Sequence, residues 1–398
     1  MNMKENKEIQ SIIVVATNYP SPGRMNLPFV QQIVHSFIEQ GVKVTVVAQQ
    51  GIIHSIVHKE KLLPIKSKGQ TLLGKEYDIY RPYTLSFGAS NYFSKFASWF
   101  NRRSVSKVLK KISGDVLYTH FWGATSLVYR YAEENNLPLF VACGESGDHF
   151  ESTIKNFSTN TLKEMPSAVT GVISVSSENK RKCIESNLAN SQNIEVFPNC
   201  IDANLFHKEE MIEQKKQLGI KEDDFVVTFV GGFIPRKGPD RVAKAIEKLN
   251  NPQIKVMFIG KPFPGYAYDF NCSGIIHKGP IEHDLLPKYL NCSDVFVLPT
   301  QSEGCCNAVV EALAIGLPIV SSEGAFNDDI LDEHNSIRVN PNDVDAIADS
   351  IKKLKDNPEL RKSMSEYSLS RHEEYSIERR AKRILSFIQR KVSEKSYR

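Results

Sequence analysis

The first 55 residues carry two hydrophobic periodicities in succession. Residues 11–16 and 42–48 are apolar runs of strand length. Between them, in residues 27–39, apolar positions recur at the three- and four-residue spacing of an amphipathic helix. Strand, helix and strand in this order predict a βαβ unit with two parallel strands.

The same alternation of strand and helix patterns continues in two blocks. Apolar strand patterns recur at 116–118, 137–142, 172–175 and 194–197, and then at 225–230, 255–259, 295–298 and 318–321. The blocks are separated by the turn-rich NCIDANLF, after Pro198, and by a charged stretch at 207–224, which together predict a linker. We therefore expect an α/β fold of two Rossmann-like, doubly wound domains. They would comprise residues 1–203 and 204–375, followed at 376–398 by a basic helix that packs back on the N-terminal domain.

Composition narrows the class of protein. With 398 residues, of which 41% are hydrophobic and 24% charged, the chain is typical of a globular protein of two or three domains. A net charge of +4 is too small for a dedicated nucleic-acid binder, so no nucleic-acid partner is expected. The seven cysteines include no pair at the spacing of zinc or redox motifs. Without a signal peptide or a long apolar stretch, the prediction is a cytoplasmic protein.

The segment 296–320, FVLPTQSEGCCNAVVEALAIGLPIV, predicts a buried strand, a turn and a helix. Glu303 precedes this helix and Glu311 lies eight residues further on. A helix N-terminus attracts phosphate, and neighbouring carboxylates accept hydrogen bonds from sugar hydroxyls. The spacing alone also fits a structural alternative, in which Glu303 favours the helix start and Glu311 is solvated.

Two further segments follow predicted strands. GGFIPRKGPD at 231–240 combines Gly232, which permits close backbone approach, with Arg236 and Lys237, which could neutralise a diphosphate. Its spacing differs from a P-loop, and a helix start with two exposed cations remains an alternative. His120 lies at the end of the predicted strand 116–118, where a side chain of an open α/β sheet faces the ligand crevice. A histidine there can bind a sugar hydroxyl or move a proton, although a lone histidine is more often structural.

Two other patterns are interpreted as structural. GESG at 144–147 misses the serine-nucleophile motif by one position, because Asp148 stands where the second glycine is required. It is interpreted as a cleft loop. Asp343 and Asp345 could suggest a metal site, but their position ahead of a helical pattern favours helix capping.

Residues 91–112 form a basic, aromatic segment with six Lys or Arg and no acidic residue. Such a helix can bind the headgroup region of an anionic membrane. The same pattern also fits an ordinary surface helix whose apolar face belongs to the core.

In this order the motifs resemble the retaining glycosyltransferases of family 4, which have the GT-B fold of two facing Rossmann-like domains. The most specific match is EGCCNAVVEALAIGLPIVSS, with its two glutamates separated by seven residues. VFPNCIDANLF resembles the linker phrase of the family, with Cys200 in place of a glycine. GGFIPRKG resembles its donor-phosphate loop and YTHFWG its cleft histidine segment.

The resemblance implies a role for each matching residue. His120, Glu303 and Lys237 would be catalytic, with His120 near the transferred sugar, Glu303 on the donor sugar and Lys237 on the diphosphate. Donor binding would also involve Gly232, Arg236, Gly304, Cys305, Cys306, Asn307 and, on the ribose, Glu311. Many members carry an arginine where this chain has Gly232, so Arg236 would supply that charge. Gly23 and Arg24 are weaker candidates for an acceptor or phosphate loop.

The resemblance thus predicts an enzyme that moves a hexose-type sugar from a nucleotide diphosphate sugar to a hydroxyl of a glycan or lipid-linked glycan. The anomeric configuration would be retained, no metal or other cofactor would be needed, and the protein could be peripheral on the inner membrane face. One alternative is a non-catalytic sugar-nucleotide-binding subunit of a glycosylation complex. Another is a GT-B epimerase acting on the nucleotide sugar itself.

Overall fold

The computed structural model describes residues 8–21, 28–57, 59–85, 93–145, 147–263 and 268–396. These residues form two compact units. The first comprises the described residues up to Val175, residues 179–197 and those from Ala381 onward, and the second comprises 176–178 and 198–380. The chain changes units at 197/198, whereas the sequence-based division lies at 203/204. The stretch 207–224 contains a short helix, Met211–Gln217.

The first unit is built on an eight-stranded sheet in the order β10-β9-β8-β7-β1-β2-β5-β4, in which all neighbours are parallel except β4 and β5. Two short strands, β3 and β6, pair separately. The strands are β1 Ser11–Ala16, β2 Lys43–Ala48, β3 Gln50–Gly51, β4 Lys66–Gln70, β5 Glu76–Tyr80, β6 Tyr83–Thr84, β7 Val116–His120, β8 Leu139–Cys143, β9 Val169–Ser174 and β10 Ile194–Val196.

Helices cover this sheet and bury its central strands. Strands β7 and β8 are buried along their whole length, as expected for parallel strands packed on both faces. The helices are α1 Pro28–Glu39, α2 Ile52–Val57, α3 Ser94–Leu109, α4 Trp122–Glu134, α5 Gly147–Lys155, α6 Thr159–Ala168 and α7 Ser177–Glu185.

The second unit contains a six-stranded parallel sheet in the order β13-β12-β11-β14-β15-β16. Counted from β11, this is the order 3-2-1-4-5-6 of dinucleotide-binding sheets. The strands are β11 Phe225–Val230, β12 Ile254–Ile259, β13 Ile275–Gly279, β14 Val295–Leu298, β15 Ile319–Ser322 and β16 Ser336–Val339. Its helices are α8 Met211–Gln217, α9 Pro239–Leu249, α10 Leu286–Asn291, α11 Asn307–Ala314, α12 Val344–Asp356 and α13 Pro358–Ser370, with 3₁₀ turns at His283–Leu285, Ala325–Asn327 and His372–Tyr375.

Local sequence explains where α9 and α12 begin. Gly238 adopts a left-handed conformation with φ 76°, and Pro239 follows at the first position of α9, where its missing N–H costs no hydrogen bond. At α12 the Asp343 side chain accepts hydrogen bonds from the backbone N–H groups of Asp345 and Ala346. The structure therefore confirms capping as the role of Asp343.

The C-terminal helix α14, Ile377–Ser396, lies in the first unit from Ala381 onward. Phe387 is buried there, with its ring centroid 6.0 Å from that of Phe140 and 5.6 Å from that of Phe197. The apolar face of α14 thus completes the core of the first unit. No helix in the described part of the chain combines the length and apolar character needed to cross a membrane.

Candidate active site

The second sheet has its topological switch point between β11 and β14, because the strand order runs in opposite directions on either side of this pair. Ligands of open α/β sheets bind outside the carboxyl ends of the strands at such a point. The loop after β11 carries Arg236 and Lys237, and the loop after β14 carries Glu303. The two predicted motifs therefore meet where this fold binds ligands.

Glu303 connects these two loops through one carboxylate oxygen. Its Oε1 lies 2.5 Å from Lys237 Nζ and 2.9 Å from Arg236 Nη1, and accepts a hydrogen bond from Thr300 Oγ1 at 2.7 Å. Arg236 also donates to the carbonyl of Ser302. The Lys237 and Glu303 side chains are only 15% and 10% exposed. Two cations and a carboxylate are thus fixed together.

Electrostatics keep Lys237 charged at this position. Burial works to lower the pKa of Lys237, but the neighbouring Glu303 carboxylate outweighs this effect and holds the pKa above its ordinary value. A charged ammonium that already sits in a partly dehydrated loop can interact strongly with an incoming anion.

Arg241, which the sequence analysis missed, holds the two loops together. This buried residue of α9 donates from Nη1 to the carbonyl of Pro235 and from Nη2 to that of Pro299, both at 2.8 Å. Pro235 belongs to the loop after β11 and Pro299 to the loop after β14. The sequence did contain a signal for this role, because Arg241 is a charged residue on the apolar face of the amphipathic helix α9.

The start of α11 lies beside Glu303. Cys306 is the residue before the helix and Asn307 its first residue, and the first turn of a helix presents N–H groups without intrahelical acceptors. Asn199, from the predicted linker phrase, donates from Nδ2 to Cys305 O at 2.9 Å and to Asn307 Oδ1 at 2.7 Å. The linker phrase therefore fixes the segment that begins α11.

Burial governs the two cysteines in this segment. It raises the pKa of Cys305 to about 12 and also raises the pKa of Cys306. Both thiols are therefore protonated near neutral pH. They are unsuited to act as thiolate nucleophiles, and their contribution to the site is packing and backbone position.

Glu311 pairs with a histidine that the sequence analysis did not single out. His283 Nε2 lies 3.0 Å from Glu311 Oε1, and the His283 ring packs on Phe206 with centroids 5.3 Å apart. The hydrogen bond with Glu311 raises the pKa of His283 against the opposing effect of burial. Glu311 is therefore a buried carboxylate fixed by His283, and not the solvated helix residue that the spacing alone also allowed.

Gly232 contacts an aromatic side chain. A Cβ built on Gly232 would lie 2.5 Å from Cε2 of Phe263, so a larger residue would require this ring to move. The ring occupies the space beside Gly232, where the resemblance to family 4 led us to expect an arginine. The guanidinium nearest to Glu303 in this loop is that of Arg236.

His120 ends β7 in the first unit, where β7 pairs with β1 at the switch point of the first sheet. It is buried, and its ring centroid lies 5.2 Å from that of Phe29 and 4.6 Å from that of Phe121. The histidine thus has a fixed aromatic environment at the carboxyl edge of its sheet. Gly23 and Arg24, the weaker predictions for the first loop, lie outside the described residues.

Within the described ranges, no group of three or more His, Cys, Asp or Glu side chains is arranged to hold a metal ion. GESG lies at the carboxyl end of β8, where Glu145 is buried and accepts a hydrogen bond from the backbone N–H of Trp122 at 2.9 Å. This contact links the loop to the residues that follow His120.

Comparison with known proteins shows which family the second unit resembles. Residues 210–371, all within the second unit, match the model of the glycosyl transferases group 1. The chain is similar to the UDP-Gal:alpha-D-GlcNAc-diphosphoundecaprenol alpha-1,3-galactosyltransferase of Escherichia coli. The two are 29% identical over 276 residues, which cover 65% of this chain and 70% of that protein.

Solved structures agree in fold. Sucrose-phosphate synthase from Thermosynechococcus elongatus aligns with a TM-score of 0.74 at 15% identity, over 97% of this chain and all of that one. HepE of Anabaena in complex with UDP-glucose aligns with a TM-score of 0.66 at 13% identity, over 97% and 100% of the two chains. The fold is GT-B, with two Rossmann-like domains, as predicted. Residues 210–371 thus resemble the glycosyl transferases group 1, and the chain is identified as a glycosyltransferase.

Proposed function

We propose that this glycosyltransferase moves a hexose-type sugar from a nucleotide diphosphate sugar to a hydroxyl of a glycan or lipid-linked glycan, with retention of configuration and without a metal. The observation that carries the proposal is the cluster of Lys237, Arg236 and Glu303 at the switch point of the second sheet. The cluster brings fixed positive charge and a carboxylate to the edge at which open α/β sheets bind ligands, and this supports a donor site there.

The donor would be held by the second unit. Lys237 and the N–H groups at the start of α11, after Gly304, would bind the diphosphate, because a helix N-terminus and an ammonium both favour anions. Glu303 would accept hydrogen bonds from the donor sugar and Glu311 from the ribose. These roles combine the resemblance to family 4 with the observed placement of the residues.

The relatives support the substrate classes. The Escherichia coli protein is a galactosyltransferase that takes UDP-Gal and a diphosphoundecaprenol-linked GlcNAc, and HepE was solved with UDP-glucose. We therefore propose a uridine diphosphate hexose as the first donor to test and a lipid-linked glycan as the acceptor class.

In the proposed reaction, the bond between the anomeric carbon and the diphosphate oxygen breaks as the acceptor oxygen bonds to the same face of that carbon. The acceptor proton passes to the departing phosphate oxygen, so no protein nucleophile is needed. Lys237 and the start of α11 would stabilise the negative charge that develops on the diphosphate. His120 would contact the transferred sugar.

The first test is calorimetric titration with UDP, followed by UDP release from UDP-glucose and UDP-galactose in EDTA-containing buffer. Lys237→Ala should weaken UDP binding by about ten- to hundredfold, because it removes a charge-assisted contact of roughly 1.5–3 kcal/mol. Lys244→Ala, which removes an exposed lysine of α9, is the matched control. Equal UDP affinity in Lys237→Ala and wild type would refute the assigned diphosphate site.

The role of Glu303 is tested separately. Glu303→Gln should abolish sugar transfer while UDP still binds, since the carboxylate is assigned to the sugar. Exposed Glu323→Gln serves as the control in the same unit. Near-normal turnover by Glu303→Gln would contradict the proposal. UDP binding without hydrolysis or transfer with any acceptor would instead favour a non-catalytic subunit.

We further propose that the first unit binds an anionic membrane surface through α3. The apolar side chains of the predicted segment 91–112 differ in burial. Val105 and Leu109 are fully buried in the core, whereas Phe96 and Trp99 are 51% and 57% exposed. The exposed rings lie next to each other, with centroids 5.9 Å apart. Exposed aromatics beside cations are typical of membrane-interface segments.

A basic groove runs along α3, with a volume of about 960 Å³ and walls from α4 and the turn before α6. Several cations line it without a salt bridge to any carboxylate in the described ranges: Lys95, Arg102, Arg103, Lys107 and Lys110. Arg130, at the opposite wall, pairs with Glu164. The unpaired positive charge favours an anionic partner, and lipid phosphates supply it.

Tryptophan fluorescence tests this surface directly, because the chain has two tryptophans and Trp122 is fully buried. Vesicles containing phosphatidylglycerol should shift the emission of Trp99 to shorter wavelength, and pure phosphatidylcholine should not. Neutralising Arg102, Arg103 and Lys107 with glutamine should weaken binding by on the order of hundredfold, at about 1 kcal/mol per cation. The same change at Lys352, Lys353 and Lys355 of α12 is the charge-matched control. Absence of binding at low salt would sink the proposal.

A further inference from the structure

The connection between β7 and α4 is unusually short and strained. His120 ends β7 and Trp122 begins α4, so Phe121 alone makes the turn. Phe121 has φ 72° and ψ 153°, a region in which essentially only glycine is unstrained. A bulky residue keeps such a conformation only where its surroundings impose it, and these outliers cluster at functional sites.

Hydrogen bonds on both sides of Phe121 impose this conformation. Its N–H donates to Ala142 O on β8 at 2.9 Å, and its carbonyl accepts from Thr125 Oγ1 at 3.2 Å. The next N–H, that of Trp122, donates to Glu145 Oε1 at 2.9 Å. This last contact is made by a carboxylate from the loop after β8.

Burial of the Glu145 carboxyl group costs folding free energy. Glu145 is 3% exposed, and burial raises its pKa although the Trp122 N–H acts in the opposite direction. Its second oxygen, Oε2, is buried and has no hydrogen-bond partner among the residues that the structure describes. An apolar side chain would avoid the cost of burying this group. Stability therefore does not account for Glu145, and its contact with the turn does.

We propose that Glu145 is a positioning residue for His120. Glu145 accepts a hydrogen bond from the Trp122 N–H and so holds the turn in its strained conformation. The turn then fixes the direction of the imidazole at the end of β7. Without this acceptor, Phe121 relaxes toward an ordinary backbone conformation and His120 moves with it. The inference rests on the proposed function, in which His120 contacts the transferred sugar.

This role of Glu145 is neither nucleophilic nor acid–base. Glu145 acts through the Trp122 N–H and touches no reacting atom in this scheme. A glutamine at this position keeps a carbonyl oxygen for the Trp122 N–H and removes the ionisable group. A methionine keeps most of the side-chain volume and removes the acceptor.

These two substitutions make the test. Histidine ring resonances are recorded by NMR in the full-length protein, with His120→Gln to assign the His120 signal. Glu145→Gln should leave that signal in place, whereas Glu145→Met should shift it without moving the His283 signal of the second unit. Glu133→Met, at an exposed position of α4, controls for the new side chain. An unmoved His120 signal in Glu145→Met refutes the proposal.

Turnover with UDP-glucose or UDP-galactose supplies the second readout. Glu145→Met should lower kcat by between about tenfold and a hundredfold, the scale of a small misplacement of a catalytic group, and leave UDP affinity unchanged. Glu145→Gln should restore kcat. Equal loss in both variants, or failure of Glu145→Met to fold, would show that Glu145 serves stability and would overturn the inference. If His120→Gln itself retains full turnover, the proposed function of His120 fails instead.

Discussion

At the residue scale, the backbone strain at Phe121 can be measured by comparing the stability of two variants. Phe121→Ala removes the ring and keeps a Cβ in a conformation that disfavours it, whereas Phe121→Gly removes both. We expect the glycine variant to be more stable than the alanine variant by about 1–3 kcal/mol, the cost of such a conformation. Urea unfolding of the two variants measures this difference.

The comparison contains its own control, because both variants lose the same ring contacts. At an unstrained position glycine is less stable than alanine, by roughly 0.5–1 kcal/mol in a regular element. An alanine variant as stable as the glycine variant, or more so, would show that this turn carries no strain.

His283 provides a pH-dependent prediction at the same scale. Its pKa is raised above 6.5 in the folded protein by Glu311. The stabilisation that this pairing adds is therefore fully present below pH 6.5 and is lost as the pH rises through the folded-state pKa. The gap in unfolding free energy between wild type and His283→Gln should shrink with rising pH in urea titrations. Glu311→Gln should flatten the pH response equally. A gap that widens with pH would contradict the assignment.

The sequence predicted some residues of the site and missed others for a physical reason. Glu303 and Lys237 stand in motifs directly after strands, so their placement follows from local order along the chain. Arg241, His283 and Glu145 act through partners in other segments: Pro299, Glu311 and Trp122. Such contacts depend on tertiary packing, which a single sequence does not specify.

At the element scale, Arg241 makes helix α9 a clamp on the two loops at the switch point. Arg241→Lys keeps the charge but has one ammonium where the guanidinium reaches two carbonyls. We expect a loss of stability of about 2 kcal/mol, together with weaker UDP binding, because a charged hydrogen bond is lost and the loops are freed. Chemical denaturation and UDP titration measure both effects.

Lys244→Arg on the exposed face of α9 is the matched control for this substitution. It changes the same pair of residue types in the opposite direction at a position that touches neither loop. If Arg241→Lys bound UDP as tightly as wild type, the clamp would be purely structural and unrelated to the donor site.

The elements themselves were predicted unevenly. The central strands β11 and β14 coincide with the apolar runs at 225–230 and 295–298, because a strand buried on both faces is apolar throughout. The edge strand β4, KSKGQ, and the strand β13, IIHKG, went unpredicted. Edge strands expose one side to solvent and carry charge, so their composition resembles that of loops.

At the scale of the whole molecule, the C-terminal helix α14 contacts the N-terminal segment of the chain. Gln389 of α14 accepts a hydrogen bond from the backbone N–H of Ile9 at 2.9 Å, and Arg390 pairs with Glu195. The sequence predicted a basic helix at 376–398, and helix α14 is observed at Ile377–Ser396. The sequence predicted packing on the N-terminal domain, but it did not specify which residues contact the helix, so the partners Phe140 and Phe197 are known only from the structure.

Phe387 therefore links the stability of the first unit to the last helix of the chain. Phe387→Ala removes a ring that is 1% exposed and leaves a cavity between β8 and α14, at an expected cost of about 3–5 kcal/mol. Because the residues proposed to bind the donor lie in the second unit, UDP affinity should stay at the wild-type value while the unfolding midpoint falls. Exposed Lys382→Ala on the same helix should leave both quantities unchanged. A joint loss of UDP affinity and stability in Phe387→Ala would mean that donor binding depends on the packing of α14.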